Sequence, residues 1–302
     1  MSVLINRNYS GSPYFSRIFC SGKACFAFLG RVNSATTTTD LSSYDKSANL
    51  EKAERYCREA ARNGAGIITL PEMFNWMGPF SETKKVAETK DGPAITMLRS
   101  IAHESGCYIV AGSILERQNK GLPLNTTFFV GRKGEIISRY SKMHLFDLEI
   151  PGEIEYLESK AMAAGRNLAV AKTPFGKVGF VICNVLRYPE AFRKLTLAGC
   201  KIIFNSSAFT ERTGKEHWHG LNRVRAFENL IYIVSTNQSG HNADGVKYYG
   251  HSMVVDPWGK IVTEGPPDGD VILYADIDLS KVDGIRKQLP ALEKIHSNYK
   301  II

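Results

Sequence analysis

Short apolar runs alternate with amphipathic stretches along almost the whole of this 302-residue chain, and that alternation restricts it to layered α/β folds. Residues 25–30 read as a first strand, and a Ser/Thr-rich loop follows over 34–43. Residues 47–62 place Leu50, Ala53, Cys57, Ala60 and Ala61 at helical spacing, and Asn63-Gly64 stops that helix. A strand over 66–70 comes next, then a helix marked by Ile95, Leu98, Ile101 and Ala102, then a strand over 107–115. Residues 126–130 and 135–140 form a hairpin across 131–134. The second half repeats the alternation, with a strand at 177–182, a helix at 189–198, a strand at 201–205, a helix at 216–229 and a strand at 230–236. A hairpin of 252–255 and 260–262 turns on Asp256-Pro257-Trp258-Gly259, and 271–277 is the last strand. Two such halves without a linker predict one domain holding two sheets, each faced by helices.

Three strand ends carry chemistry. The 66–70 run leads into Pro71-Glu72, the 135–140 run into Ser141-Lys142, and the 177–182 run into Cys183 just ahead of a helix opened by Pro189. Catalytic groups collect at strand ends in open α/β folds. A thiol, a carboxylate and an ammonium are a nucleophile, a base and a cation, which is a complete set for acyl transfer. Taken singly, each has a plainer reading: a lone Cys after an apolar strand is a small buried hydrophobe, and Glu or Lys beside Pro or Ser is a turn residue.

The bulk properties narrow the class. With 43% hydrophobic and 23% charged residues the composition is that of an ordinary globular protein, and no apolar run is long enough to span a bilayer. The net charge of +8 is spread along the chain without a Lys/Arg block, so neither nucleic acid nor a membrane is expected as a partner. The six cysteines form no Cys-x-x-Cys pair, which fits a reducing compartment rather than a disulfide framework. The first 39 residues lack Asp and Glu but contain Arg7, Arg17, Lys23 and Arg31. Residues 1–24 are therefore expected to be an extension, either a disordered start of a cytoplasmic protein or a mitochondrial transit peptide, ahead of a domain over 25–302.

The segments Leu70-Pro71-Glu72-Met73-Phe74-Asn75, Tyr140-Ser141-Lys142-Met143-His144-Leu145-Phe146-Asp147 and Ile182-Cys183-Asn184-Val185-Leu186-Arg187-Tyr188-Pro189-Glu190 resemble, in order, the three signature segments of the nitrilase (carbon–nitrogen hydrolase) superfamily. The likeness continues in Ile150-Pro151-Gly152, Tyr156-Leu157-Glu158-Ser159, Ser207-Ala208-Phe209-Thr210, Thr213-Gly214 with His217-Trp218, and the run from Tyr249 to Gly259. It covers roughly residues 26 to 290, and within the superfamily it is nearest to the Nit amidases. The resemblance implies an α-β-β-α sandwich that forms a homodimer or a higher homo-oligomer, and a cofactor-free thiol hydrolase with no metal. It further implies Cys183 as nucleophile, Glu72 as base, Lys142 as the cation facing the tetrahedral intermediate, the Asn184 amide as a second oxyanion donor, and Glu158 as a carboxylate that orients the lysine or the substrate. Phe209 and Thr210, just past a strand end, are expected to line the pocket.

The chain departs from the family beside the nucleophile, where Cys-Tyr-Asp is usual and Cys183-Asn184-Val185 stands here. Arg187 is then expected to pair with Glu190 or backbone carbonyls instead of an aspartate. The run from Tyr249 to Gly259 makes deaminated glutathione the first substrate expectation. The segments His144-Leu145-Phe146-Asp147 and Leu157-Glu158-Ser159 lean towards an ω-amidase acting on α-ketoglutaramate-type amides. A catalytically weak relative kept as an interaction protein is the third expectation, motivated by Val185. His217 and His219 lack the spacing of a helical zinc site and are expected to be packing residues, while His144 and His251 are expected to hold loops by hydrogen bonds.

Overall fold

The computed structural model describes residues 24–29, 45–152, 154–242 and 244–296. The expected extension (save Ala24) and the loop over 34–43 lie outside those residues. Strands and helices form four layers. One sheet runs in the order Ile272–Ile277, Ala24–Leu29, Ile67–Thr69, Tyr108–Val110, Leu124–Val130, Ile136–Ser141, and Ile114–Glu116 also pairs with Leu124–Val130, on the same edge as Tyr108–Val110. The other runs Ile261–Glu264, Met253–Val255, Tyr232–Asn237, Cys200–Ser207, Gly176–Ile182, Val170–Thr173. Each sheet has three adjacent parallel strands. Strands buried on both faces need apolar residues at every position, which is why Ile67 and Ile68, or Ile202 and Ile203, stand side by side in the sequence. Ile67, Val110 and Phe129 face the second sheet, with Phe129 and Phe180 rings 5.2 Å apart. Ile68, Ile109 and Val130 instead pack on helices Lys46–Arg62 and Pro93–Ser105 through Ala53, Cys57, Leu98 and Ile101. Helices Pro189–Leu197 and Glu211–Asn229 cover the second sheet through Leu195, Phe192, Trp218 and Ala226. The architecture is the expected α-β-β-α sandwich. Among the described residues no helix is long and apolar enough to cross a membrane.

Two expected elements differ for identifiable reasons. The 107–115 run is two strands, because Gly112 takes φ +56° and interrupts the ladder, so that Tyr108–Val110 and Ile114–Glu116 pair one after the other along the same edge of Leu124–Val130 with the register shifted between them. The helix expected from 216 begins at Glu211, and Gly214 sits inside it because a Cβ there would lie 2.3 Å from the Tyr249 ring. The hairpins Asp147–Ile150/Ile154–Leu157 and Ser239–His241/Lys247–Tyr249, and the helix Leu279–Gln288 capped by Asp278, carry too short a pattern to be read in advance.

A Cβ on Gly112 would stand 2.1 Å from the Pro71 carbonyl oxygen, against the turn that carries Glu72. Gly112→Ala adds left-handed strain of about 1–3 kcal/mol to an overpacking cost of similar size. We expect a clear fall in the thermal unfolding midpoint; an unchanged midpoint would show that this turn relaxes freely.

Candidate active site

The carboxyl ends of the parallel strands of both sheets meet. Thr236 Oγ1 donates to the Leu70 carbonyl at 2.9 Å, and Gln238 Nε2 donates to the Glu72 carbonyl at 2.9 Å. Across this seam Glu72 comes from the first sheet and Cys183 from the second. Cys183 opens a tight turn, Cys183–Arg187, with φ +49°. A non-glycine residue held in the left-handed region costs of order 1–3 kcal/mol and must be held by its neighbours. Here the holding contact is from below: the Cys183 N–H donates to Asn205 Oδ1 at 3.0 Å. Asn205 Oδ1 also accepts from Ser207 Oγ at 3.1 Å, and Asn205 Nδ2 donates to Ser235 Oγ at 3.1 Å. Ser235 Oγ in turn donates to Asn222 Oδ1 at 2.5 Å on the covering helix. A buried polar chain thus runs from the outer layer to the Cys183 turn.

Lys142 is fully buried at the end of Ile136–Ser141. Its ammonium donates to Glu72 Oε1 at 2.9 Å and to the Glu158 carboxylate at 2.8 Å. Burial by itself lowers a lysine pKa, but the Glu158 and Glu72 charges overcome that and raise it above the ordinary value. Glu158 is pushed up by burial, with Lys142 opposing, and its Oε2 accepts the Phe146 N–H at 2.7 Å. Asn125 Nδ2 donates to the same Glu72 oxygen as Lys142, at 2.8 Å. Both side-chain bonds to Glu72 therefore fall on Oε1, leaving Oε2 for a further proton. The Cys183 thiol is pushed well up by burial and by the Glu72 charge, with Lys142 pulling the other way. At rest it is a neutral thiol that needs a partner to take its proton.

A cavity of about 280 Å³ opens on this cluster and is lined by Glu72, Glu158 and Cys183. Phe209 and Thr210 line it, as do Trp76, Phe80, Phe146, Tyr156 and Tyr248, an aromatic wall that the sequence pattern did not mark. Asn184 does not line it; its side chain donates to the Leu145 carbonyl at 2.9 Å, tying the Cys183 turn to the loop after Lys142. As the second residue of a tight turn, its N–H stands where no bond within the turn reaches it. Arg187 is the one Lys or Arg lining the cavity among the described residues. It pairs neither with Glu190 nor with a backbone carbonyl, contrary to expectation. Its guanidinium lies 4.6 Å over the Phe209 ring and 5.6 Å over Phe146, with Nη2 3.2 Å from His217 Nδ1. Burial lowers its pKa. Val185 is fully buried in the core and offers it nothing. The His144 ring stacks on Tyr188 at 3.6 Å, and the loop is tied through the His144 carbonyl, which accepts from Asn184 Nδ2 at 3.4 Å.

A family model described as carbon-nitrogen hydrolase matches residues 32–287. The omega-amidase NIT2 of Mus musculus is 38% identical over 251 residues, which cover 82% of this chain and 90% of the relative. The crystal structure of the C. elegans NitFhit protein aligns with a TM-score of 0.83 at 31% identity, over 92% of this chain and 66% of that protein, so this chain spans slightly less than two thirds of it. Saccharomyces cerevisiae Nit3, a member of branch 10 of the nitrilase superfamily, aligns with a TM-score of 0.78 at 30% identity, over 89% of this chain and 94% of that one.

Removing the buried ammonium would leave two carboxylates facing each other without a cation. Lys142→Met is expected to cost about 3–5 kcal/mol in urea unfolding. The folded-state pKa of Lys142 is raised above its ordinary 10.5, so its stabilisation is complete below that pH and is lost as the pH climbs further. The gap between wild type and Lys142→Met should therefore narrow in strongly alkaline buffer; a gap that stays constant would argue against the charge as its origin.

Proposed function

Because the chain belongs to the carbon–nitrogen hydrolase family and is an amidase acting on non-peptide carbon–nitrogen bonds, we propose that it cleaves the terminal amide of a short carboxylate-bearing substrate, as an ω-amidase. The observation that carries this reading is Arg187. A part-buried guanidinium on the cavity wall, with no carboxylate within ion-pair distance among the described residues, is matched to an anion that arrives with the substrate. The mouse relative carries the same activity in its name. The segments that leaned towards an ω-amide place Phe146 and Glu158 on the cavity, whereas no residue of 249–259 lines it. Deaminated glutathione, the expectation drawn from 249–259, therefore has the weaker structural support.

In the proposed reaction Glu72 takes the thiol proton as Cys183 Sγ attacks the amide carbon. The oxyanion forms against Lys142 and the Asn184 N–H. The tetrahedral intermediate collapses with transfer of the Glu72 proton to the departing nitrogen, releasing ammonia and leaving a thioester on Cys183. A water that gives its proton to Glu72 then attacks the thioester carbon, and the acid leaves as the thiol is restored. Glu158 holds Lys142 in place throughout.

Ammonia release from α-ketoglutaramate and from deaminated glutathione tests this directly. We expect turnover of the former, abolished by Cys183→Ala and lowered at least about 100-fold in kcat by Lys142→Met. Arg187→Met should act differently, raising KM by roughly 10- to 100-fold, the equivalent of a charged hydrogen bond of about 1.5–3 kcal/mol. Preference for deaminated glutathione, or an Arg187→Met enzyme with unchanged KM, would overturn the ω-amide reading.

A further inference from the structure

Away from the cavity mouth, three side chains from separate elements converge. His219 lies on helix Glu211–Asn229, His251 follows the strand Lys247–Tyr249, and Glu264 ends the strand Ile261–Glu264. His219 Nε2 is 2.8 Å and His251 Nδ1 is 2.6 Å from the same Glu264 oxygen, and the three atoms lie within 4.8 Å of one another. We propose that His219, His251 and Glu264 form a binding site for a divalent transition-metal ion of the zinc class.

Two imidazole nitrogens and one carboxylate are a donor set suited to such ions, which bind nitrogen and oxygen at about 2.0–2.2 Å. Both imidazoles reach Glu264 through the nitrogen that would carry the metal. An ion between them replaces two N–H protons without turning either ring over. The three side chains are about one-fifth to one-third exposed, so water can fill the remaining coordination positions. Their backbones are held independently. Trp218 Nε1 donates to the His251 carbonyl at 2.7 Å, the His251 N–H donates to the Pro266 carbonyl at 3.1 Å, and Glu264 is in register with Met253. His251 is kept at φ +52°, a conformation that a residue with a Cβ adopts only where its surroundings impose it. The Tyr249 ring, 4.5 Å from His251, closes the side towards Gly214. The sequence pattern hid this arrangement because His219 finds its partners 32 and 45 residues further on, rather than a turn away on its own helix.

The ion would also join two parts of the cavity wall. The helix bearing His219 follows directly on Phe209 and Thr210, and the Tyr249 N–H donates to the Phe209 carbonyl at 2.9 Å, next to Tyr248. A bound metal therefore stiffens the wall from behind without touching substrate.

The test is a zinc chloride titration of metal-stripped protein against a chromophoric chelator, in a Cys183→Ala background so that the thiol does not compete. We expect one ion per chain with micromolar or tighter affinity. Loss of a ligand should weaken it by more than the roughly 10- to 100-fold that a supporting group costs. His219→Ala, His251→Asn and Glu264→Gln are the ligand variants; Asn tolerates the left-handed backbone, and Gln keeps the shape of Glu. His103→Ala, on a different helix, should bind as the parent does. Zinc should raise the thermal midpoint of the parent but not of Glu264→Gln. No binding in the micromolar range, or equal affinity in all the variants, would overturn the site and leave the cluster as a hydrogen-bonded contact.

Discussion

A lysine ammonium with no exposed surface is tolerable only if its charge is answered at close range, and in this protein that requirement organises the seam between the sheets. Lys142 is answered twice, by Glu72 at 2.9 Å and Glu158 at 2.8 Å. Each carboxylate is in turn committed elsewhere, Glu72 to Asn125 and Glu158 to the Phe146 N–H. Desolvating three charges is expensive, and breaking such a set costs more than never having formed it. The arrangement is therefore held as a unit. The backbone follows suit: the Lys142 N–H donates to the Asn125 carbonyl and the Gly165 N–H donates to the Lys142 carbonyl, both at 2.8 Å. Gly165 is a glycine for cause, since a Cβ there would lie 2.2 Å from the Ser141 carbonyl oxygen.

The second sheet contributes the thiol on different terms. Cys183 is not ion-paired but strained, and the strain is carried by the buried amide of Asn205 and the serine and asparagine beneath it. Electrostatics and strain meet at one sulfur. Burial, and after it the Glu72 charge, push the thiol pKa up, while the turn geometry presents it to the cavity. A neutral resting thiol resists alkylation and oxidation, and in the proposed reaction its proton leaves only as a substrate carbonyl supplies an oxyanion for Lys142 to stabilise.

How much of this was legible follows from the range over which each feature is encoded. The strand ends bearing Glu72, Lys142 and Cys183 were readable because a strand, a turn residue and a charged or thiol side chain sit within a few residues of one another. Gly112 and Gly214 misled the reading for one reason: each is a glycine because of a neighbour remote in sequence or outside its own element, the Pro71 carbonyl in one case and the Tyr249 ring in the other. Asn205 left a signal that passed unused. It ends the apolar run Ile202-Ile203-Phe204 and begins the buried polar end of the strand, and a carboxamide in such a place has a buried partner to satisfy. The aromatic lining of the cavity left none, because Trp76, Phe146, Tyr156 and Tyr248 come from separate loops and hairpins whose convergence is a property of the fold alone.

The replacement of aspartate by Val185 beside the proposed nucleophile is best understood through what it does to Arg187. An aspartate two residues after Cys183 would place a third anion near a thiol already pushed up by burial and by the Glu72 and Glu158 charges, and it would offer Arg187 a partner within its own turn. Val185 removes both effects at once. It packs into the core with no exposed surface, and Arg187 settles on aromatic faces and a histidine nitrogen instead of a carboxylate. A guanidinium stacked on Phe209 keeps its charge while its donors stay largely uncommitted. The departure from the family pattern thus leaves every atom of the proposed chemistry in place and turns a cation that could have been structural towards the cavity.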